Sequence, residues 1–364
     1  MIDYFSGGRD TGRVSENRGV SLVKGARASR PLSRESGEAP APRDGFGRVI
    51  DYLRISVTDR CNERCLYCLP EGYKGWVQKA NHLTAEEIVR IVEKTCTMGF
   101  RKFRLTGGEP LIRPDLVEIA RRIWALPGVQ TLGVSTNGTR LAACARALRE
   151  AGVRSVNISL DALDPTLYRR ITGGDIHTVL AGIRAAAEAG FEVIKLNCVL
   201  MRGINEGEIF PLIRFAAERR MPIRFIELMP VTRTTVLRED NFLSVGEARA
   251  RIEREHGPLI PEPSFRPGHG PARYFRETSS GALIGLIGAL TTTDFCESCN
   301  KLRLTADGKL RPCLGRHGEI DLLPALRGNG DLETSTREAI QNKPENHEFA
   351  ECYEPHRPMT AIGG

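Results

Sequence analysis

From Val49 onward the chain repeats one unit: a short apolar run, a loop, then an amphipathic helical stretch. Six runs rich in β-branched and aromatic residues read as strands: Val49–Val57, Lys102–Thr106, Val129–Thr136, Val153–Leu160, Glu192–Met201 and Pro222–Leu228. Helix signals fall between them. Thr84-Ala85-Glu86-Glu87 is a capping box opening a helix that runs to Gly99, and Pro114 suits the first turn of a helix that stops near Gly128. Another helix ends at Glu150. Asp164-Pro165 opens a short helix, an Ala-rich helix ends at Gly190, and Asn205 is placed to cap a helix running to Arg219. Strands joined through helices by short connections run parallel, with the helices outside. A closed barrel of this kind needs eight units. The chain is therefore predicted to be an α/β protein, an incomplete six-unit parallel β/α barrel over residues 49–250. Ser244-Val245-Gly246-Glu247 starts one more helix, and there the rhythm ends.

The flanking stretches differ. Residues 1–48 are rich in Gly, Ser, Arg and Pro and lack apolar periodicity, so they are expected to be a disordered extension. Asp3, Asp10, Glu16, Glu35 and Glu38 argue against a transit peptide, which avoids acids. Residues 251–364 are Gly- and Pro-rich with short strands (Ala272–Arg276, Leu283–Ile287, Leu302–Thr305) and read as a second region. No apolar run is long enough to span a membrane, and none follows a basic start as a secretory signal would. The ten cysteines then suit metal ligation better than disulfides. The net charge of +7 admits an anionic small molecule or a nucleic acid and decides neither.

Three of the cysteines, Cys61, Cys65 and Cys68, crowd the loop after the first strand. Closed zinc sites take four ligands. An iron–sulfur cube also takes four, so three thiolates leave one iron open. Gly107-Gly108-Glu109-Pro110 follows the second strand, where two residues without side chains let the backbone approach a ligand closely. A second set, Cys296, Cys299 and Cys313, lies in the C-terminal region. By spacing alone it suits either a zinc site completed by His317 or another open cluster. Cys96, Cys144, Cys198 and Cys352 have no ligand-like spacing.

The first cysteine loop resembles the signature of the radical S-adenosylmethionine superfamily. The two sets together, with Leu53 to Cys61, Arg104 to Leu111, Asn157 to Asp161, Arg224 to Pro230, Gly288 to Arg303 and the closing Ile362-Gly363-Gly364, resemble the GTP 3′,8-cyclase family within it. Those enzymes are lyases of the first step of molybdenum cofactor biosynthesis. The resemblance spans about residue 49 to the end. It implies two [4Fe-4S] clusters, held by Cys61, Cys65 and Cys68 and by Cys296, Cys299 and Cys313. It implies S-adenosylmethionine chelated at the first open iron, with Tyr67, Gly108, Ser159 and Met229 at S-adenosylmethionine-contact positions. Arg54, Arg104, Ser135, Lys195, Lys301 and Arg303, with the backbone of Leu302, match GTP-binding positions. Reductive cleavage yields a 5′-deoxyadenosyl radical, which takes hydrogen from C3′ of GTP; the sugar radical then attacks C8. The second cluster binds the guanine, and the Gly363-Gly364 tail enters the active site and is needed for cyclisation. The implied partners are GTP, S-adenosylmethionine, a flavodoxin- or ferredoxin-like electron donor, a downstream pterin synthase and a second copy in a homodimer, with no nucleic acid and no membrane. The implied location is the cytoplasm, or the mitochondrial matrix in a eukaryote.

Two rivals are a peptide-modifying radical S-adenosylmethionine enzyme with an auxiliary cluster and a zinc-stabilised nucleic-acid binder. The chain also departs from the family. Lys301 stands where arginine is usual, Leu314-Gly315 where Leu-Phe is usual, and Glu63 where an aromatic is common. A lysine keeps the charge but not the planar fork.

Overall fold

The computed structural model describes residues 40–70, 73, 82–349, 351 and 353–363. The expected alternation is present. It runs β1 (Tyr52–Ser56), α1 (Ala85–Thr97), β2 (Lys102–Thr106), α2 (Leu116–Ala125), β3 (Thr131–Thr136), α3 (Leu141–Glu150), β4 (Ser155–Ser159), α4 (Pro165–Thr172), α5 (Ile176–Ala189), β5 (Val193–Leu200), α6 (Ile209–Glu218), β6 (Ile223–Glu227) and α7 (Val245–His256). Strands β1 to β6 lie side by side in chain order, all parallel.

The C-terminal chain continues the same sheet. It contributes β7 (Ile260–Pro261), β8 (Arg273–Arg276), β9 (Leu283–Ile287), β10 (Lys301–Leu304), β11 (Lys309–Arg311) and β12 (Ile320–Asp321), then α8 (Leu323–Arg327), α9 (Leu332–Gln341) and α10 (Met359–Ile362). β10 pairs parallel with β1, and β9 pairs parallel with β6. Eight parallel strands result, flanked by antiparallel β11–β12 on one side and β8–β7 on the other. Among the described residues the two ends of the sheet do not pair, so the barrel stays open. No described helix is long and apolar enough to cross a membrane.

The two-residue period of a strand sorts β1 into faces. Leu53 and Ile55 are fully buried with the helix residues Ile88, Ile91 and Val92, and form the core between sheet and helices. Tyr52, Arg54 and Ser56 take the other face. Truncating a core aliphatic such as Ile91 to Ala is expected to cost about 2–5 kcal/mol. The helix starts at Thr84 and Ser244 both form capping boxes. Thr84 accepts from the Glu87 N–H while Glu87 accepts from the Thr84 N–H, and Ser244 and Glu247 do the same. Glu87 also binds Arg327 at 2.6 Å, tying α1 to α8.

Asn205 does not cap its helix. A 3₁₀ turn at Glu206–Glu208 intervenes, and the buried Asn205 amide donates to the carbonyls of Asp161 (3.0 Å) and Val199 (2.9 Å). Those carbonyls leave the ends of β4 and β5 inside the protein, where an unpaired acceptor is costly. Residues 40–48, assigned above to the extension, are partly packed. Asp44 accepts from the N–H groups of Phe46 and Arg48, and Arg48 donates to the carbonyls of Cys296 (3.0 Å), Pro344 (2.5 Å) and Glu345 (2.8 Å).

Candidate active site

A cavity of about 350 Å³ opens on the polar face of the sheet. Both cysteine triads line it, together with Arg54, Arg104, Ser135, Lys195, Arg224, Lys301 and Arg303 and with Tyr67, Gly108, Ser159 and Met229. Strand register explains the convergence. Arg303, Arg54 and Arg104 stand in one row across β10, β1 and β2. Ser135, Asn157 and Lys195 form a second row across β3, β4 and β5, with Asn197 beside Arg224.

Leu302 is fully buried, pairs in register with Leu53 and does not line the cavity. Gly363 lies beside the site, and Gly364 and Cys352 fall outside the described residues. Lys102 is taken up by Asp51 at 2.5 Å.

The first cysteine loop is held from two sides. The Gly108 N–H donates to the Thr58 carbonyl (2.8 Å), and the Glu109 N–H donates to the Arg60 carbonyl (2.7 Å). A Cβ on Gly108 would stand 2.1 Å from the Arg60 carbonyl oxygen. The close approach expected of the glycine pair is thus made to the backbone of the cysteine loop. On the other side the N–H groups of Arg64 and Leu66 donate to the carbonyls of Thr172 and Ile171 at the end of α4. Carboxylates surround this end. Burial pushes Glu109 up to about 7, and it accepts from Thr136 and from the Asn137 N–H. Burial likewise brings Glu63 up to about 7, beside the Tyr168 hydroxyl at 2.8 Å. Asp161, raised by burial to about 6, accepts from the Tyr67 hydroxyl at 2.6 Å and the Val199 N–H at 2.8 Å. Burial also pushes the Cys61 thiol up to about 12.

The second triad sits in the opposite field. Burial opposes ionisation of Cys299, yet Lys301 and Lys343 bring its thiol down to about 7. Backbone N–H groups of His347, Lys301 and Gly315 face the thiols of Cys296, Cys299 and Cys313. His317 does not join them. Its ring stacks on His356 at 3.9 Å and on Tyr353 at 4.9 Å, away from the cavity lining. Among the described residues no three His, Cys, Asp or Glu side chains converge as a single ion would require. Zinc ligands all lie about 2.0–2.3 Å from one point, whereas a cube offers each thiolate its own iron. Two sets of three thiols, the second with a backbone N–H at each sulfur, fit iron–sulfur groups in donor type and in hydrogen bonding.

Between the triads lies a concentration of buried positive charge. Burial first, then Arg303, brings Arg54 down to about 9. Burial, then Arg104 and Arg224, brings Lys195 down to about 6. Arg224, Lys301 and Arg303 are lowered too, burial being the largest cause in each. The cations are aimed by neutral partners. Arg104 donates to the Tyr52 hydroxyl (2.8 Å), the Val134 carbonyl (2.8 Å) and the Ser155 hydroxyl (2.9 Å), and Arg224 donates to the Asn197 side chain (2.7 Å). Several cations desolvated together are stable only when an anion joins them.

The C-terminal tail reaches this place. The Gly363 carbonyl accepts from Arg303 at 2.5 Å. Gly363 has φ +84°, and a Cβ there would lie 3.0 Å from Ser56 and from Thr106. Thr232 links the tail to the first cysteine loop. Its hydroxyl donates to the Cys68 carbonyl at 3.1 Å and accepts from the Met359 N–H at 2.8 Å.

Residues 55–216 match the Radical SAM superfamily and residues 221–349 match Molybdenum Cofactor Synthesis C. By fold, Streptococcus suis SuiB bound to S-adenosylmethionine superposes with a TM-score of 0.57 at 14% identity. That match covers 78% of this chain and 65% of SuiB, so the chain spans less than two thirds of that protein's length. The fold and the first triad define a radical S-adenosylmethionine enzyme. GTP 3′,8-cyclase of Pelotomaculum thermopropionicum is 41% identical over 328 residues, covering 88% of this chain and 100% of its own. GTP 3′,8-cyclase 1 of Pseudomonas aeruginosa is 45% identical over 329 residues, covering 88% and 98%. The chain belongs to the GTP 3′,8-cyclase family.

Several residues of this site carry little signal in the sequence. Asp161 closes a run that resembles the family and Glu109 belongs to the glycine motif, but neither pattern shows the buried carboxylate's partners, and Asn137, Tyr168 and Lys343 stand in no motif. A buried Lys343 in the polar run Gln341-Asn342-Lys343-Pro344 leaves no local signal.

Proposed function

We propose that this chain cyclises GTP to (8S)-3′,8-cyclo-7,8-dihydroguanosine 5′-triphosphate, with S-adenosylmethionine as the radical source, as the first step of molybdenum cofactor biosynthesis. The observation that carries the reading is the single cavity lined by two cysteine triads with buried cations between them. Its volume suits small molecules, and its charge suits a polyphosphate better than a peptide.

Cys61, Cys65 and Cys68 would hold one [4Fe-4S] cluster, and Cys296, Cys299 and Cys313 a second. Bound, these groups would supply the electron that cleaves S-adenosylmethionine and an open iron for the guanine. The protein's own part is placement. Arg54, Arg104, Lys195, Lys301 and Arg303 are proposed to grip the triphosphate, with Ser135 beside them. Fixing the phosphates orients the sugar, and that pre-paid orientation is where rate is gained. Tyr67, Gly108, Ser159 and Met229 are proposed S-adenosylmethionine contacts, with Asp161 fixing the Tyr67 hydroxyl. Lys301 offers a point charge where the family usually has a fork, and Arg303 retains the fork. Gly363, whose carbonyl accepts from Arg303, and Gly364 after it are proposed to take part in cyclisation.

In this reading residues 49–250 supply the six strand–helix units of the barrel, and residues 251–364 extend its sheet with β9 and β10 and supply the second cluster and the tail. Family membership is the support for a flavodoxin- or ferredoxin-like donor, a downstream pterin synthase, a homodimer and a cytoplasmic setting. The test is anaerobic incubation of reconstituted protein with GTP, S-adenosylmethionine and a reductant. A cyclised nucleotide together with 5′-deoxyadenosine is expected. Cleavage of S-adenosylmethionine with GTP recovered unchanged would refute the reading.

A further inference from the structure

Lys343 follows α9 and is 3% exposed. Its ammonium donates to two main-chain carbonyls, those of Lys301 at 2.9 Å and Pro312 at 2.7 Å. It also hydrogen-bonds the Cys299 thiol. Lys301 lies two residues past Cys299, and Pro312 immediately precedes Cys313. One buried side chain therefore joins the two backbone segments that carry two of the three thiols. Its oxygen partners are uncharged, so nothing at those two bonds offsets the charge. Burying an ammonium against neutral groups is unfavourable unless an anion completes the site.

The two triads differ in the charge around them. Cys61 faces Glu109 and Glu63, and Cys65 faces Glu63 and Asp161. Cys296 faces Arg48 and Lys343, and Cys299 faces Lys301 and Lys343. Positive charge and hydrogen bonds at the sulfurs favour the reduced, more negative state of an iron–sulfur group, and carboxylates disfavour it.

We propose that Lys343 is a positioning residue that pins Cys299 against Cys313 and, by its buried charge, holds the group bound there at a higher reduction potential than the group bound by Cys61, Cys65 and Cys68. The inference rests on the two-cluster reading above. It deepens that reading by giving the second site a built-in electrostatic bias. An electron entering the protein would then rest more favourably at the triad beside the cation cluster than at the triad among the carboxylates.

The test uses full-length reconstituted protein in which Cys61, Cys65 and Cys68 are replaced by Ala, leaving only the second site. Iron content and the midpoint of a redox titration followed by electron paramagnetic resonance are measured for this parent and for its K343M and K343R forms. K343M is expected to keep the fold by circular dichroism and to shift the midpoint negatively. A tenfold change in the reduced-to-oxidised ratio corresponds to about 59 mV for one electron. K343R is expected to restore most of the shift. Loss of iron in K343M with recovery in K343R supports the pinning role. Unchanged iron and an unchanged midpoint in K343M overturn the inference, as does equal iron loss in both variants. A parent that binds no iron refutes the two-cluster reading itself, and this inference with it.

Discussion

Lys195 offers a direct handle on the cation cluster. Its Nζ donates to the Pro267 carbonyl at 2.6 Å, and the residue is 2% exposed. Burial, then Arg104 and Arg224, lowers it from 10.5 to about 6. At pH 7.5 the side chain is therefore mostly neutral while the site is empty. A triphosphate reverses the balance, because an adjacent anion favours the ammonium. Binding GTP at pH 7.5 should take up close to one proton. Affinity should weaken as pH rises from about 6.5 to 8.5, approaching tenfold per unit.

The same shift bears on folding. Lysine is held below its unfolded value, so between about 6 and 10.5 the unfolded chain binds the extra proton. Stability of the empty protein therefore rises with pH across that window. The ceiling is on the order of 6 kcal/mol. K195M removes the penalty and should stabilise the empty protein at neutral pH while weakening GTP binding. The assay is anaerobic titration calorimetry with GTP, without reductant, in buffers of different ionisation enthalpy. Protonation of GTP itself is common to both proteins and cancels in the comparison. Equal proton uptake by wild type and K195M would refute the reasoning.

Three further outcomes are expected. G108A should lose iron at the first triad, because its Cβ would stand 2.1 Å from the Arg60 carbonyl oxygen; undiminished iron would show that the loop shifts freely. G363A combines positive φ with two 3.0 Å contacts. The left-handed conformation alone costs about 1–2 kcal/mol, so the tail should leave Arg303, and cyclisation should fall at least tenfold with iron content and melting temperature unchanged. Wild-type turnover by this variant would remove the tail from the account. C313S should lose about four irons of eight, the content of one cube of two, keep some cleavage of S-adenosylmethionine and lose cyclisation; retained cyclisation would end the second-site assignment.

What could be read from the residues depended on how local its cause was. The strands β1 to β6 and the boxes at Thr84 and Ser244 follow from periodicity and capping, which act within a few residues. The union of β9 and β10 with that sheet did not show, since a short strand carries no mark of its partner. Asn205 is a good cap by type but is drawn inward by the Asp161 and Val199 carbonyls. The cysteines were legible because ligand spacing is a local pattern. Arg48 and Lys343 were not, because each works through backbone carbonyls far away in the chain. The rows that set Arg303 beside Arg54 and Arg104 are properties of register and need the sheet.

In the proposed reaction one cavity brings a radical made at the first triad to a nucleotide held by the buried cations. The most direct test follows deuterium from C3′ of GTP in an anaerobic single turnover with S-adenosylmethionine and a reductant. Deuterium should appear in 5′-deoxyadenosine alongside a cyclised triphosphate. Unlabelled 5′-deoxyadenosine formed beside intact, fully deuterated GTP would contradict the claim.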